Sequence, residues 1–514
     1  LWTTTGGIMI STRRDFLKTA AGSGVALAAG MRPAGAQPRR PLRDVVILLP
    51  GIMGSVLQKD GRDVWALSGS AIARGILSLG GSISSLTVGN DSPTAESLGD
   101  GISAIRLLPD THLIPGFWKI DGYTAVSNFI TSRFDAQPGG NFFEFPYDWR
   151  RDNRVAARKL ERQSRQWLQA WRKSSGHANA RLVLVAHSMG GLVSRYFLEV
   201  LGGWRDTRML VTFGTPYRGS LNALDFLANG MRKTLGGFTL VDISTLLRSF
   251  TSVYQLLPIY PCYDAGSGML ARVGESSGIP NVDASRAKAA LAFHNEIRQA
   301  VQANSTIAEY AKSRYTVHPI IGNYQPTLQG ARLVKGVVYC SQALGADTSL
   351  RGDGTVPQPS GRPIETPELE KQHRIVYVSE VHGSLQNSRA MLDHLGGLLE
   401  EDPSSPDRFR KLTEPDFALG ANVAVIVDDM YGTSERVVVG AQCDVATTLT
   451  ATVVDAATNA QVARASISIE DPAVRGEAAI DPLPEGTYRV TVRGGSTVQS
   501  ATDVFIVVGE SKGA

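Results

Sequence analysis

Five runs of the chain are apolar almost continuously rather than at alternate positions: VVILL at 45–49, LVLVA at 182–186, MLVTFG at 209–214, YTVHPIIG at 315–322 and RIVYVS at 374–379. A strand with one face in water alternates polar and apolar residues, whereas a continuously apolar strand is covered on both faces. Between these runs lie helical patterns, VAARKLERQSRQWLQAWRKS at 155–174 and ASRAKAALAFHNEIRQAVQAN at 284–304. Covered strands alternating with amphipathic helices predict a mostly parallel sheet with helices on both sides, an α/β architecture. Two long stretches break the alternation. Residues 66–122 are rich in Gly, Ser and Leu, and residues 222–262 set LLRSFTSVYQLL among Gly-Gly breaks. Loops of that length are uncommon in a folded domain unless they serve function, so both are expected to form cap or lid segments.

From about Glu414 the pattern changes. ANVAVIV, RVVVGA, TTLTATVVDA, RASISIED, GTYRVTVRGG and DVFIVVG are short runs separated by turn residues. Six or seven short strands with no helical period predict a small all-β, antiparallel, immunoglobulin-like sandwich. DPSSPDRF at 402–409 supplies a Pro/Ser-rich boundary. The expected layout is a leader over 1–36, an α/β domain over 37–412 and the sandwich over 413–514.

The leader is expected from STRRDFLK at 11–18, which is followed by the uncharged TAAGSGVALAAG and by Ala34-Gly35-Ala36. Two arginines, a short apolar stretch and a small-x-small site resemble a twin-arginine export signal. Met9 is the expected start, and a periplasmic or extracellular protein the expected product. Cleavage after Ala36 removes Arg13, Arg14, Lys18 and Arg32 against Asp15, taking the formal charge from +4 to +1. A near-neutral chain gives no electrostatic reason to expect nucleic acid as a partner. Cys262, Cys340 and Cys443 are widely spaced and read as buried thiols. No histidine or cysteine spacing suits a metal, so neither metal nor cofactor is expected.

LVLVAHSMGG at 182–191 joins a strand to a helical pattern through a turn with Ser188 at its tip. A nucleophile presented this way sits on a strained turn, and the residues two before and two after it must be small. Ala186 and Gly190 meet that need. A serine hydroxyl requires an adjacent imidazole, and the imidazole a carboxylate to fix its tautomer. Asp353, in the glycine-flanked RGDGTVP after the apolar run LVKGVVYCS, is the expected acid, with Asp347 the nearest rival. His382, directly after RIVYVS, is the expected base; His187 lies beside the serine and cannot fold back on it. The oxyanion would be held by the N–H groups of Met189 and of Ile52, after the Pro50-Gly51 turn, where Gly51 lets the backbone approach substrate.

LLPGIMGSVL at 48–57, FPYDWRRD at 145–152, AHSMGG, FGTPYRGS at 213–220, SFTSVYQLLP at 249–258, IIGNYQPT at 320–327, GDGTVP and the late His382 occur in one order. In that order they resemble the lecithin:cholesterol acyltransferase family, which includes lysosomal phospholipase A2 and the phospholipid:diacylglycerol acyltransferases. The resemblance implies an α/β-hydrolase fold acting on lipid esters, with Ser188, Asp353 and His382 as triad and Ile52 and Met189 as oxyanion hole. It implies a buried Asp148–Arg150 ion pair. It also matches Trp65 to a tryptophan near the lid, either contacting lipid or simply packed. No cysteine lies in 58–120 to close a lid, and the sandwich is no part of the family core.

The expected function is an exported serine esterase or lipase working on a lipid or acyl-ester substrate, in contact with a membrane or lipid surface. Transfer of the acyl group to an alcohol uses the same residues. A non-catalytic surface-binding protein is the reading from another class. The sequence carries no signal for oligomeric state.

Overall fold

In a computed structural model of the chain, residues 38–65, 85–109, 111–114, 118–235, 238–313, 315–347, 351–365, 375–400 and 420–509 are described. The described residues from Arg40 onward form one unit. The expected leader and the 412/413 boundary lie outside the described residues.

Four of the five apolar runs form the middle of one sheet and the fifth, RIVYVS, one of its edges; its strands are β1 (Val45–Leu49), β2 (Phe142–Glu144), β3 (Leu182–His187), β4 (Thr207–Phe213), β5 (Thr316–Gly322) and β6 (Val376–Val378). Their order is β6-β5-β4-β3-β1-β2, and every neighbouring pair is parallel. The helices beside it include α1 (Thr124–Arg133), α2 (Asn153–Ser175), α3 (Met189–Glu199), α4 (Leu221–Asn229), α5 (Ala284–Ser305) and α6 (Arg389–Glu400). Successive strand side chains point to opposite faces, and this divides the core. Val45, Ile47 and Leu49 meet Leu160 and Leu168 of α2, Leu192 of α3 and Phe293 of α5. Val46 and Leu48 meet Val126 and Ile130 of α1 and Leu392 and Leu395 of α6. Helix α2 starts where the Asp152 carboxylate accepts the Arg154 N–H at 2.8 Å, and stops at Gly176 in the left-handed conformation.

Three features differ from the sequence-based expectation. Strand β2 is only three residues, FFE, too short to show a period. The run LVKGVVYCS, expected to lead to Asp353 as a late strand, stays out of the main sheet. Gly330–Val334 and Val337–Ser341 instead form an antiparallel hairpin in a separate four-stranded sheet. Lys335 and Gly336, both at positive φ, make the tight turn a two-residue hairpin needs. Finally, Cys340 is half-buried where a buried thiol was expected; Cys262 and Cys443 are buried, and all three are free.

Of the expected cap segments, residues 66–84 lie outside the described residues. Ile102–Leu107 pairs antiparallel with Ser55–Lys59, extending the chain just after the Pro50-Gly51 turn into a three-stranded sheet. The 222–262 stretch holds most of α4, a hairpin (Arg232–Leu235 with Phe238–Asp242) and short helices Ser244–Ser249 and Thr251–Gln255. Leu221, Leu224, Leu227 and Leu247 bury it against the main core. Arg150 is fully buried, clamped by both oxygens of Asp148 at 2.8 and 2.6 Å and by Asp100 at 2.9 Å. The PYDWR motif is thus a structural strut.

The C-terminal residues make two facing sheets. One holds β7 (Val423–Val427), β9 (Val437–Cys443) and β12 (Gly476–Ile480); the other holds β8 (Met430–Gly432), β10 (Thr447–Asp455), β11 (Gln461–Ile469), β13 (Gly486–Arg493) and β14 (Ser500–Val508). Their inward residues form one core that includes Val425, Val439, Leu449, Ile467, Val490 and Phe505. Pairing is antiparallel except for β8 with β14, which is parallel.

Candidate active site

Parallel strands all end on one edge of their sheet, so loops following different strands meet there. Ser188 follows β3, the Asp353 loop lies beyond β5, His382 follows β6, and the Pro50-Gly51-Ile52 turn follows β1. The three side chains expected to act together lie in one row. His382 Nε2 is 2.9 Å from Ser188 Oγ, and His382 Nδ1 is 2.7 Å from Asp353 Oδ2. All three residues are buried. Asp347, the rival acid, instead closes a turn with Leu344.

The local backbone explains the row. Ser188 has φ 51° and ψ −125°, a strained conformation for a residue with a Cβ. It is held by its own N–H to Phe213 O (2.8 Å) and by Thr215 Oγ1 donating to Ser188 O (2.9 Å). Asp353 Oδ1 accepts the N–H groups of Thr355 (2.9 Å) and Val356 (2.6 Å), which leaves Oδ2 for the imidazole. The His382 N–H donates to Asp353 O at 2.8 Å, so the acid and base loops are also joined by backbone. Gly214, at φ 59°, passes behind them; a Cβ there would lie 2.9 Å from both Asp353 Oδ2 and His382 Nδ1.

The remaining expected residues divide. Ile52 lines the cavity in front of Ser188. Met189 is the first residue of α3, where helix geometry leaves the N–H without an intrahelical partner. Gly51 fits because a Cβ there would be 2.8 Å from Ser188 Cβ. Trp65, expected either to contact lipid or simply to pack, is in the core. Its indole N–H donates to Met53 O at 3.1 Å and its ring meets Trp149 edge-on at 5.1 Å. It thereby braces the turn that carries Ile52.

Sequence reasoning missed a relay behind Ser188. The Gly51 N–H donates to the Tyr123 hydroxyl (2.7 Å), and that hydroxyl is 3.0 Å from His187 Nδ1. His187 Nε2 is 3.0 Å from His382 O. A carbonyl can only accept, so Nε2 carries the proton, Nδ1 accepts from tyrosine, and the ring is neutral. Burial, reinforced by neighbouring His382, depresses the His187 value to about 3. The unfolded chain protonates a histidine near ~6.5. With the folded value depressed, the stability from neutral His187 is complete above that pH and is lost progressively as pH falls toward the folded value. Between pH 7 and 5 the loss is about 2 kcal/mol. The unfolding free energy of the wild type minus that of His187→Gln, measured in urea, is expected to shrink by that amount; a difference independent of pH would contradict the neutral relay.

In front of Ser188 opens a cavity of about 420 Å³. Phe226, Val253, Leu256 and Leu328 give it an apolar side, while Lys119, Asp429 and Asp503 give it a charged one. Burial pulls the Lys119 value down, but its ion pairs with Asp503 and Asp429 outweigh that and raise it above the ordinary lysine range.

A parallel sheet whose edge loops align a serine, an imidazole and a carboxylate defines the α/β-hydrolase class of proteins. More narrowly, the profile of the lecithin:cholesterol acyltransferase family matches residues 90–382, and the chain belongs to that family, a group of lipid-acting acyl hydrolases and transferases. Among solved structures, the chain is similar to the Tle4–Tli4 complex at 15% identity, covering 71% of this chain and 99% of that one with a TM-score of 0.41. The mature Bacillus licheniformis lipase BlEst2 aligns at 14% identity over 71% of this chain and 95% of its own, TM-score 0.29. Phospholipase PlaB from Legionella pneumophila aligns at 9% identity over 90% and 92%, TM-score 0.28. No curated protein matches the sequence.

Proposed function

We propose that the chain is an exported serine hydrolase that cleaves acyl esters of lipids through an acyl-enzyme on Ser188. The observation that carries this is the row Ser188–His382–Asp353, 2.9 and 2.7 Å apart, at the wall of a cavity with an apolar side. Asp353 Oδ2 accepts a hydrogen bond from the Nδ1–H of His382, so the proton stays on Nδ1 and Nε2 keeps its lone pair toward Ser188 Oγ. As Oγ attacks the ester carbonyl, Nε2 takes the hydroxyl proton and then gives it to the departing alcohol oxygen. The N–H groups of Ile52 and Met189 receive the negative oxygen. Water enters, gives a proton to Nε2 and attacks the acyl carbon; the proton returns to Oγ as the fatty acid leaves. The apolar wall suits an acyl chain, and the arginine pair and apolar stretch before Ala36 support export. No helix among the described residues is long and apolar enough to cross a membrane.

The test is product analysis with a phosphatidylcholine labelled in its acyl chain, with and without a long-chain alcohol. Labelled free fatty acid is expected in both. A labelled ester of the added alcohol as main product would assign acyl transfer, and no acyl release from phospholipid, glyceride or simple ester would contradict the proposal.

A further inference from the structure

The C-terminal sandwich reads from sequence as a separate domain outside the family core, yet its backbone is bonded to both loops that carry the expected acid and base. Gln325 lies in the chain that leaves β5 and is buried. Its side-chain amide donates to Val423 O at 3.0 Å and accepts the Val425 N–H at 3.1 Å, bonding β7 as a neighbouring strand would. Its own backbone is paired to Gly352, the residue before Asp353, with Gln325 N–H donating at 2.9 Å and Gly352 N–H returning at 3.3 Å. One side chain therefore ties the acid loop to the first strand of the sandwich.

The base loop is tied in a parallel way. Glu380, two residues before His382, is buried, and its Oε1 accepts the Val381 N–H at 3.1 Å and the Thr502 N–H of β14 at 2.6 Å. Strand β14 pairs with β13 along one side, while short β8 covers only its far end from Ile506 to Val508. Thr502 thus offers its N–H from a strand edge that Glu380 closes. Beside it the Ser379 N–H donates to Gln499 Oε1 and Ser379 Oγ to Asn422 Oδ1, each at 2.9 Å. Two more links run through the segment that packs under His382. Lys119 is held by Asp429 and Asp503 at 2.7 and 2.8 Å, and Asp121 is paired with Arg489. The Asp121 N–H donates to Gly383 O at 3.0 Å, so this segment is bonded to the residue after the base. Asp429 and Asp503 also line the cavity itself.

We propose that the β-sandwich is a positioning element of the triad, with Gln325 holding the Asp353 loop and Glu380 the His382 loop against its strands. A triad loses rate when its members move by about an ångström, and the bonds within and between the two loops leave the pair free to shift together unless something outside them, here the strands of the sandwich, anchors both. The charge of Glu380 is not what this role uses. Its value is pushed up to about 8, by burial first and by the nearby Asp121 and Asp503 carboxylates, against the two N–H donors. An acceptor oxygen suffices.

This inference rests on the triad reading, and the test separates the two. In the full chain, Glu380→Ala and Gln325→Ala are expected to lower kcat on a short water-soluble p-nitrophenyl ester at least tenfold, with KM within twofold. Fluorophosphonate labelling should slow by the same factor. Glu380→Gln keeps an oxygen for Val381 and Thr502 and should return kcat to within threefold of wild type. Should the alanine variants fail to fold, Gln499→Ala reads the same connection from the sandwich side, with a three- to tenfold fall in kcat expected. Unchanged kcat in folded variants, a change confined to KM, or Glu380→Gln as impaired as Glu380→Ala would overturn the positioning role while leaving the triad intact. A wild type that fluorophosphonate does not label would overturn the triad reading itself.

Discussion

Replacing Ser188 by alanine is expected to lower kcat on any ester substrate by roughly 10⁴- to 10⁶-fold, the range in which removing a triad nucleophile falls. The fold should survive. The Ser188 hydroxyl hydrogen-bonds to His382, while the backbone of the turn is held by Phe213 O and Thr215 Oγ1, neither of which needs the hydroxyl. Loss of activity with an unchanged thermal midpoint is the expected pair of results, read by initial rates and by melting. Residual activity within a hundredfold of wild type would remove Ser188 from the chemistry.

Asp353→Asn is expected to cost nearly as much, on the order of 10⁴-fold in kcat with little change in KM. The geometry gives the reason atom by atom. The Thr355 and Val356 N–H groups would hold the amide oxygen where Oδ1 now sits, at 2.9 and 2.6 Å. The amide nitrogen would then occupy the Oδ2 place, 2.7 Å from His382 Nδ1. An amide nitrogen donates, so Nδ1 would have to accept and the ring proton would move to Nε2, facing Ser188 Oγ. An imidazole that already carries a proton there cannot take another from serine. Steady-state kinetics decide: a loss of less than tenfold would show that the carboxylate does not set the tautomer.

The parts of this site legible in the sequence are those with local causes. The elbow around Ser188 is a strand, a strained turn and a helix in direct succession, and its apolar run and small flanking residues display all three. His382 was found because it follows a strand end. Asp353 was identified through a glycine-flanked turn, but the run before it is a hairpin of another sheet, and the acid reaches the edge by way of β5 and the Gln325–Gly352 pairing. The lysine-glycine turn between its two short apolar stretches is the local signal for that hairpin. Illegible were the contacts that join distant segments. Tyr123 reaches Gly51 and His187, and Gln325 and Glu380 reach β7 and β14. Each is a single polar residue with no periodic signature, buried only because two remote stretches close over it. Trp65 shows the converse: an aromatic near an expected lid leaves lipid contact and packing both open in the sequence, and its indole N–H finds its carbonyl within the core.

The proposed chemistry requires Ser188 to carry the acyl group. The most direct measurement is acid quenching during turnover of a p-nitrophenyl ester, followed by digestion and mass spectrometry of the peptide containing Ser188. An adduct of the acyl mass on Ser188 that forms in the wild type and is absent from Ser188→Ala is the result predicted. Full turnover with no acyl adduct, or an adduct on another residue, would contradict it.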